Sequence, residues 1–178
     1  MSISDNRDDS RKFTFAPGTV LAPGKCLVLY ADNGATPPGI HLGFTLKQEG
    51  DDLYLFAANG QLLDSVVFGP QITDLSIGRL TDGQWALTQP TFGSANVAAT
   101  TGDPAKLKIN EWLTHGVGTI AYDFVELFNA DAQPVNLGGL FFTDNPIGAP
   151  RLSELAPLSF IPGSGASHAV PIGQSSIE

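Results

Sequence analysis

The chain has a single cysteine, Cys26, in 178 residues. No disulfide can close within it, so packing and backbone pairing must hold the fold. Cys26 lies in an apolar run and reads as a small core hydrophobe rather than a nucleophile. Basic residues are scarce: 9 Lys and Arg face 18 Asp and Glu, a formal charge of −9 at pH 7. A phosphate backbone asks for a basic stripe, so this balance argues against nucleic acid as a partner. No run reaches the ~18 apolar residues of a membrane-spanning helix, and no membrane insertion is expected. Catalytic spacings are missing too. His41, His115 and His168 are far apart, and neither an H-E-x-x-H helix nor a G-x-S-x-G elbow occurs. Gly163-Ser164-Gly165 lacks the helix pattern of a dinucleotide loop. The reading is therefore of a chain that is not an enzyme and needs no cofactor.

What the chain does have is turn-formers set among short apolar runs. Gly 20, Pro 13 and a hydrophobic fraction of 42% suit many short strands around a real core. Strands are predicted at Lys12–Phe15, Lys25–Ala31 and His41–Leu46. Cys26-Leu27-Val28-Leu29 is continuously apolar, as expected where both faces are covered. Leu53–Phe56 and Leu62–Phe68 flank Asn59-Gly60, a pair suited to the positive φ angles of a tight hairpin. Leu75–Arg79 and Trp85–Thr88 flank Asp82-Gly83 in the same way. Residues 97–105 are small and polar and read as a linker. Strands resume at Leu107–Leu113, where a helical turn is the alternative, then at Asp123–Asn129, Val135–Thr143 and Leu158–Ile161. The fold class predicted is all-β, an antiparallel sandwich.

The chain also repeats itself. Ser4-Asp5-Asn6 returns as Thr143-Asp144-Asn145, and at the same offset Leu21-Ala22-Pro23-Gly24 returns as Phe160-Ile161-Pro162-Gly163. The first copy runs on into a series of strands, whereas the second stops soon after its Pro-Gly.

Three stretches carry a family resemblance: Ile109-Asn110-Glu111, then 123–129 (Asp-Phe-Val-Glu-Leu-Phe-Asn), then 135–139 (Val-Asn-Leu-Gly-Gly). Further pieces lie earlier, at Ser4-Asp5, 13–24, Phe44-Thr45-Leu46, Asp64-Ser65-Val66, Ser76-Ile77-Gly78-Arg79 and 90–96. In this set and spacing the chain resembles the lamin-tail domain family. The resemblance implies an immunoglobulin-like β-sandwich. It also implies a setting in tandem modules of large bacterial surface or secreted proteins, hence an extracellular or cell-surface location. Met1 leads directly into the polar residues 4–10 with no leader pattern. The chain reads as a piece cut from a longer protein.

The order departs from the family pattern. Residues 4–96 look like the later part of one module, and residues 106–143 like the opening strands of the next. A sandwich without its first strands exposes apolar surface and a bare edge. Residues 106–143 are therefore expected to complete residues 4–96, as a circular permutation within one monomer or by exchange in a strand-swapped homodimer. The linker spans about 33 Å when extended. Residues 144–178 are then surplus, expected to lie loose or along an edge.

Candidate site residues are few. Glu111, Asp123 and Glu126 could gather to hold a cation or act as acid and base. The structural alternative, which is favoured, is that they bond backbone or pair with Arg79. Asp5-Asn6-Arg7-Asp8-Asp9 lacks the Gly and distal Glu of a calcium loop and reads as a solvated turn. Trp85, Trp112, Tyr54 and Tyr122 could line a sugar- or peptide-binding face, with core packing as the simpler reading. The expected function is a non-catalytic structural or adhesive module, contacting a protein or cell-surface polymer by strand addition or loops. The alternative is a carbohydrate- or calcium-binding accessory module of a secreted enzyme.

Overall fold

The computed structural model describes residues 1–115, 123–164 and the backbone of 167–171. Among these residues the chain is all-β, apart from one 3-10 turn at Pro104–Lys106. The strands are β1 Ser2–Ser4, β2 Phe13–Thr14, β3 Leu29–Tyr30, β4 Ile40–His41, β5 Asp51–Phe56, β6 Leu62–Phe68, β7 Ser76–Arg79 and β8 Trp85–Gln89. There follow β9 Val97–Ala98, β10 Leu107–Leu113, β11 Phe124–Asn129, β12 Val135–Asn136, β13 Phe141–Phe142, β14 Ser153–Glu154, β15 Phe160–Ile161 and β16 Ser167–Pro171. They fall into two compact units. One is Met1–Ala99 with Gly138–Ser159, and the other is Thr100–Leu137 with the stretch from Phe160.

The first unit is built on a four-stranded antiparallel sheet in the order β2-β1-β5-β6. Residues opposite one another in an antiparallel ladder share a face. Ile3 lies between Phe13 and Leu55, so these three apolar side chains occupy one side. That side carries the core of Ile3, Leu42 and Phe44, with Phe13, Leu29, Ala31 and Leu53 packed around it. A parallel pair, β3 and β4, and an antiparallel trio, β7-β8-β9, complete the ladders of residues 1–99.

Both predicted hairpins form, through one shared turn. Gly60 N donates to Ala57 O and Ala57 N to Gln61 O; Gly83 N donates to Leu80 O and Leu80 N to Gln84 O. Gly60 (φ +86°) and Gly83 (φ +85°) take the left-handed position of a type I turn with a glycine bulge. Asn59 does not share the positive φ expected of it. Its side-chain oxygen accepts the Gln61 N–H, as Asp82 accepts that of Gln84.

The arm Gly138–Ser159 returns to this unit as the β13–β14 hairpin. Gly69 N donates to Pro157 O, and Gln71 Nε2 donates to Leu158 O. A Cβ on Gly69 would lie 1.9 Å from Ser159 Oγ, so only glycine admits this approach.

The second unit has a three-stranded antiparallel sheet, β10-β11-β16, and the pair β12-β15. Leu107–Leu113 is a strand, not a helical turn, with a bulge at Asn110. Val135, Leu137, Phe160 and Ile161 are almost wholly buried. So is Asn129, whose amide donates to Gln133 O and Pro162 O while its oxygen accepts from Asp131 N. Every polar group of that side chain is answered, which is what lets it stay buried.

Residues 106–143, expected to complete residues 4–96 within one chain or by exchange, divide between the two units: the part from Gly138 belongs to the first, while in the second β10 pairs with β11 and β11 with β16. Residues 144–178, expected to lie loose or along an edge, supply β14, β15 and β16, and β16 forms an edge of the three-stranded sheet. Ile161 faces Val135 across the ladder and is 0% exposed, so this short segment has its own apolar partner.

Candidate functional site

The predicted carboxylates are only partly brought together. Glu111 and Glu126 are directly opposite across β10 and β11. Like charges facing one another repel, and Asn110 eases this by donating its amide to Glu126 Oε1. Asp123 is used otherwise: its Oδ1 accepts the His115 backbone N–H at 2.8 Å, closing the end of the hairpin. Among the described residues no group of three His, Cys, Asp or Glu is placed to hold a metal ion.

Arg79 does not pair with these carboxylates. Its Nη2 reaches both oxygens of Asp64 on β6, at 3.0 and 2.9 Å, and its guanidinium lies 4.5 Å over the Trp85 ring. The ladder makes Trp85 its cross-strand neighbour, so β8 supplies the platform and β6 the counter-charge. Trp112 is 67% exposed on β10. Tyr122 lies outside the described residues. Cys26, expected in the core, is exposed, because residues 25–28 take part in no ladder.

Two charged clusters are built into loops. His41 Nδ1 lies 2.5 Å from Asp32 Oδ1 and its Nε2 lies 2.9 Å from Pro37 O. With an acceptor on each ring nitrogen, the cationic imidazolium is favoured and the His41 pKa is raised, chiefly by the Asp32 hydrogen bond. Asp131 accepts from Lys106 Nζ at 2.9 Å and from the backbone N–H groups of Asp103 and Gln133. These donors, Lys106 first, hold its carboxyl at about 2.

The more telling surface is apolar. On the Ile3–Leu55 face of the four-stranded sheet a groove of about 640 Å³ opens between Ile3, Phe15, Leu21, Leu27, Leu29 and Leu55. A second hollow of about 550 Å³ is lined by Leu46, Leu53, Val66, Phe68, Ile77 and Trp85. Both are larger than side-chain packing leaves in a finished core. At the rim of the first groove Val20 is 85% exposed and Leu21 55%. An apolar signal for it did exist in the sequence, in Val20-Leu21 and Cys26–Leu29, but it pointed equally to covered strands.

The internal repeat shows what is missing there. After Ala16-Pro17, Gly18 has φ +84° and Thr19 Oγ1 donates to Ala16 O. After Ala156-Pro157, Leu158 has φ +53° and Ser159 Oγ donates to Ala156 O. The shared turn shifts the match by one residue from the sequence offset. Val20 and Leu21 correspond to Phe160 and Ile161. The second pair is laddered to β12 and buried, whereas the first takes part in no ladder and is exposed.

Comparison with family models, with curated proteins and with solved structures finds no match.

Proposed function

We propose that the chain is a non-catalytic interaction module of the lamin-tail type, from a bacterial surface or secreted multidomain protein. It works by taking an extended segment of a protein partner onto its unfinished sheet. One observation carries the reading: the inner face of the four-stranded sheet is left open at a 640 Å³ apolar groove with an unladdered rim. Exposed apolar area of this kind marks contact sites. Main-chain hydrogen bonds along a bare edge give strand addition its affinity, and side-chain pockets give its specificity.

The test uses synthetic strand-forming peptides with alternating apolar residues, and copies N-methylated at the ladder-facing amides. The expected result is binding by the plain peptides and none by the methylated ones. Equal binding by both would remove edge addition. Turnover of an ester, phosphodiester or glycoside that is lost in Glu126→Gln would replace the whole reading with an enzyme.

A second reading, a carbohydrate-binding accessory module, draws on Trp112, whose ring is exposed on β10. It requires glycan binding that disappears in Trp112→Ala.

A further inference from the structure

The groove has a recognisable occupant, because the same chain shows what covers the equivalent edge in its second copy. There, Val135 pairs with Ile161 and Asn136 with Phe160, and Val135, Leu137, Phe160 and Ile161 are at most 3% exposed. Further along the second copy, β16 pairs with β11, Phe128 facing Ser167 and Leu127 facing His168. The stretch that leads into β3 in the first copy, residues 25–28, has no ladder, and Leu27 is 41% exposed. Two successive segments of the second copy thus find strands of one type, β12 and β11. Their counterparts in the first copy border the empty groove.

We propose that this groove receives the opening segment of another module of this sequence type, an extended stretch with the pattern of Asp123–Gly138. The proposal rests on the strand-addition reading above and names its partner. The turn shared by the two copies sets the register. The partner's residue equivalent to Val135 faces Leu21, and the one equivalent to Asn136 faces Val20. Carried on to the counterpart of β16, the same register sets the partner's residue equivalent to Phe128 opposite Leu27, where it enters the groove beside Leu29 and Leu55.

The experiment uses the full chain and a fluorescent synthetic peptide with the sequence of residues 123–138. Anisotropy titration is expected to show saturable binding, and a scrambled peptide none. Leu21→Asp and Val20→Asp are expected to weaken it by at least about tenfold, the loss from burying one large apolar side chain. Both positions are exposed, so circular-dichroism melts of the variants should match the parent. Register is read by cross-linking in a Cys26→Ser background. A Val20→Cys chain should form a disulfide with a peptide carrying Asn136→Cys, while Val97→Cys, an exposed site on β9, should not.

Failure of the peptide to bind, or binding unchanged by Leu21→Asp, overturns the proposal. If unrelated strand peptides still bind, strand addition survives and only this partner is lost. If the chain self-associates without peptide and Val20→Asp abolishes that, a second copy of the chain is the occupant and the proposed module is not. If the chain is monomeric and Leu21→Asp lowers its melting temperature, the site is already closed within one chain and the proposal falls.

Discussion

Asp131 shows how one carboxylate organises a loop. It accepts from Lys106 and from two backbone N–H groups, while its own N–H goes to Asn129 and its carbonyl accepts from Ser164. Its folded pKa of about 2 lies below the ordinary 3.8. A carboxyl depressed by folding adds stability that is complete above its ordinary value and is lost as pH falls through the folded one. Asp131→Asn is therefore expected to lower the melting temperature at pH 5 to 7. The gap from the parent should shrink below about pH 4 and close near pH 2. Thermal melts across that range check it, and a gap independent of pH would show that the charge is not responsible. Nothing in the sequence marked Asp131, because its donors come from residues 103, 106 and 133 and meet only when the loop closes. Arg79 teaches the same lesson: its motif was legible, but its partner Asp64 is on a different hairpin.

Hairpins were the most readable elements, since Asn59-Gly60 and Asp82-Gly83 encode their turns locally. The detail that escaped is the bulge. One glycine takes the positive φ, and the Asn or Asp before it serves as a hydrogen-bond acceptor. Gly60→Ala is expected to destabilise the chain by about 1 kcal/mol, the strain of a left-handed alanine. No atom lies within 4 Å of the added Cβ, so the cost is conformational and not a clash. Gly60→Asn should recover part of it, since Asn tolerates that region. Chemical denaturation of both variants measures the difference, and equal stability of Gly60→Ala and the parent would contradict the turn assignment. Strand pairing was far less readable than strand presence. A run such as Cys26–Leu29 announces apolar residues, not whether a neighbour exists to cover them.

The repeat gives the molecule an internal experiment. Ile161 and Leu21 occupy matching places, one 0% exposed and the other 55%. Ile161→Ala is expected to cost about 2–5 kcal/mol, as buried aliphatic truncations do. Leu21→Ala should stay within about 0.5 kcal/mol while the chain is monomeric. Urea denaturation of the two variants at low concentration compares them, and similar losses would mean that the rim of the groove is already covered. Composition, periodicity and turn chemistry were enough to establish an all-β chain of short strands with a duplicated motif, because each of those signals is local. Which copy's strands would find partners was settled by folding. Burial depends on segments distant in the chain, and Phe160-Ile161 met Val135-Asn136 while Val20-Leu21 met nothing that covers them.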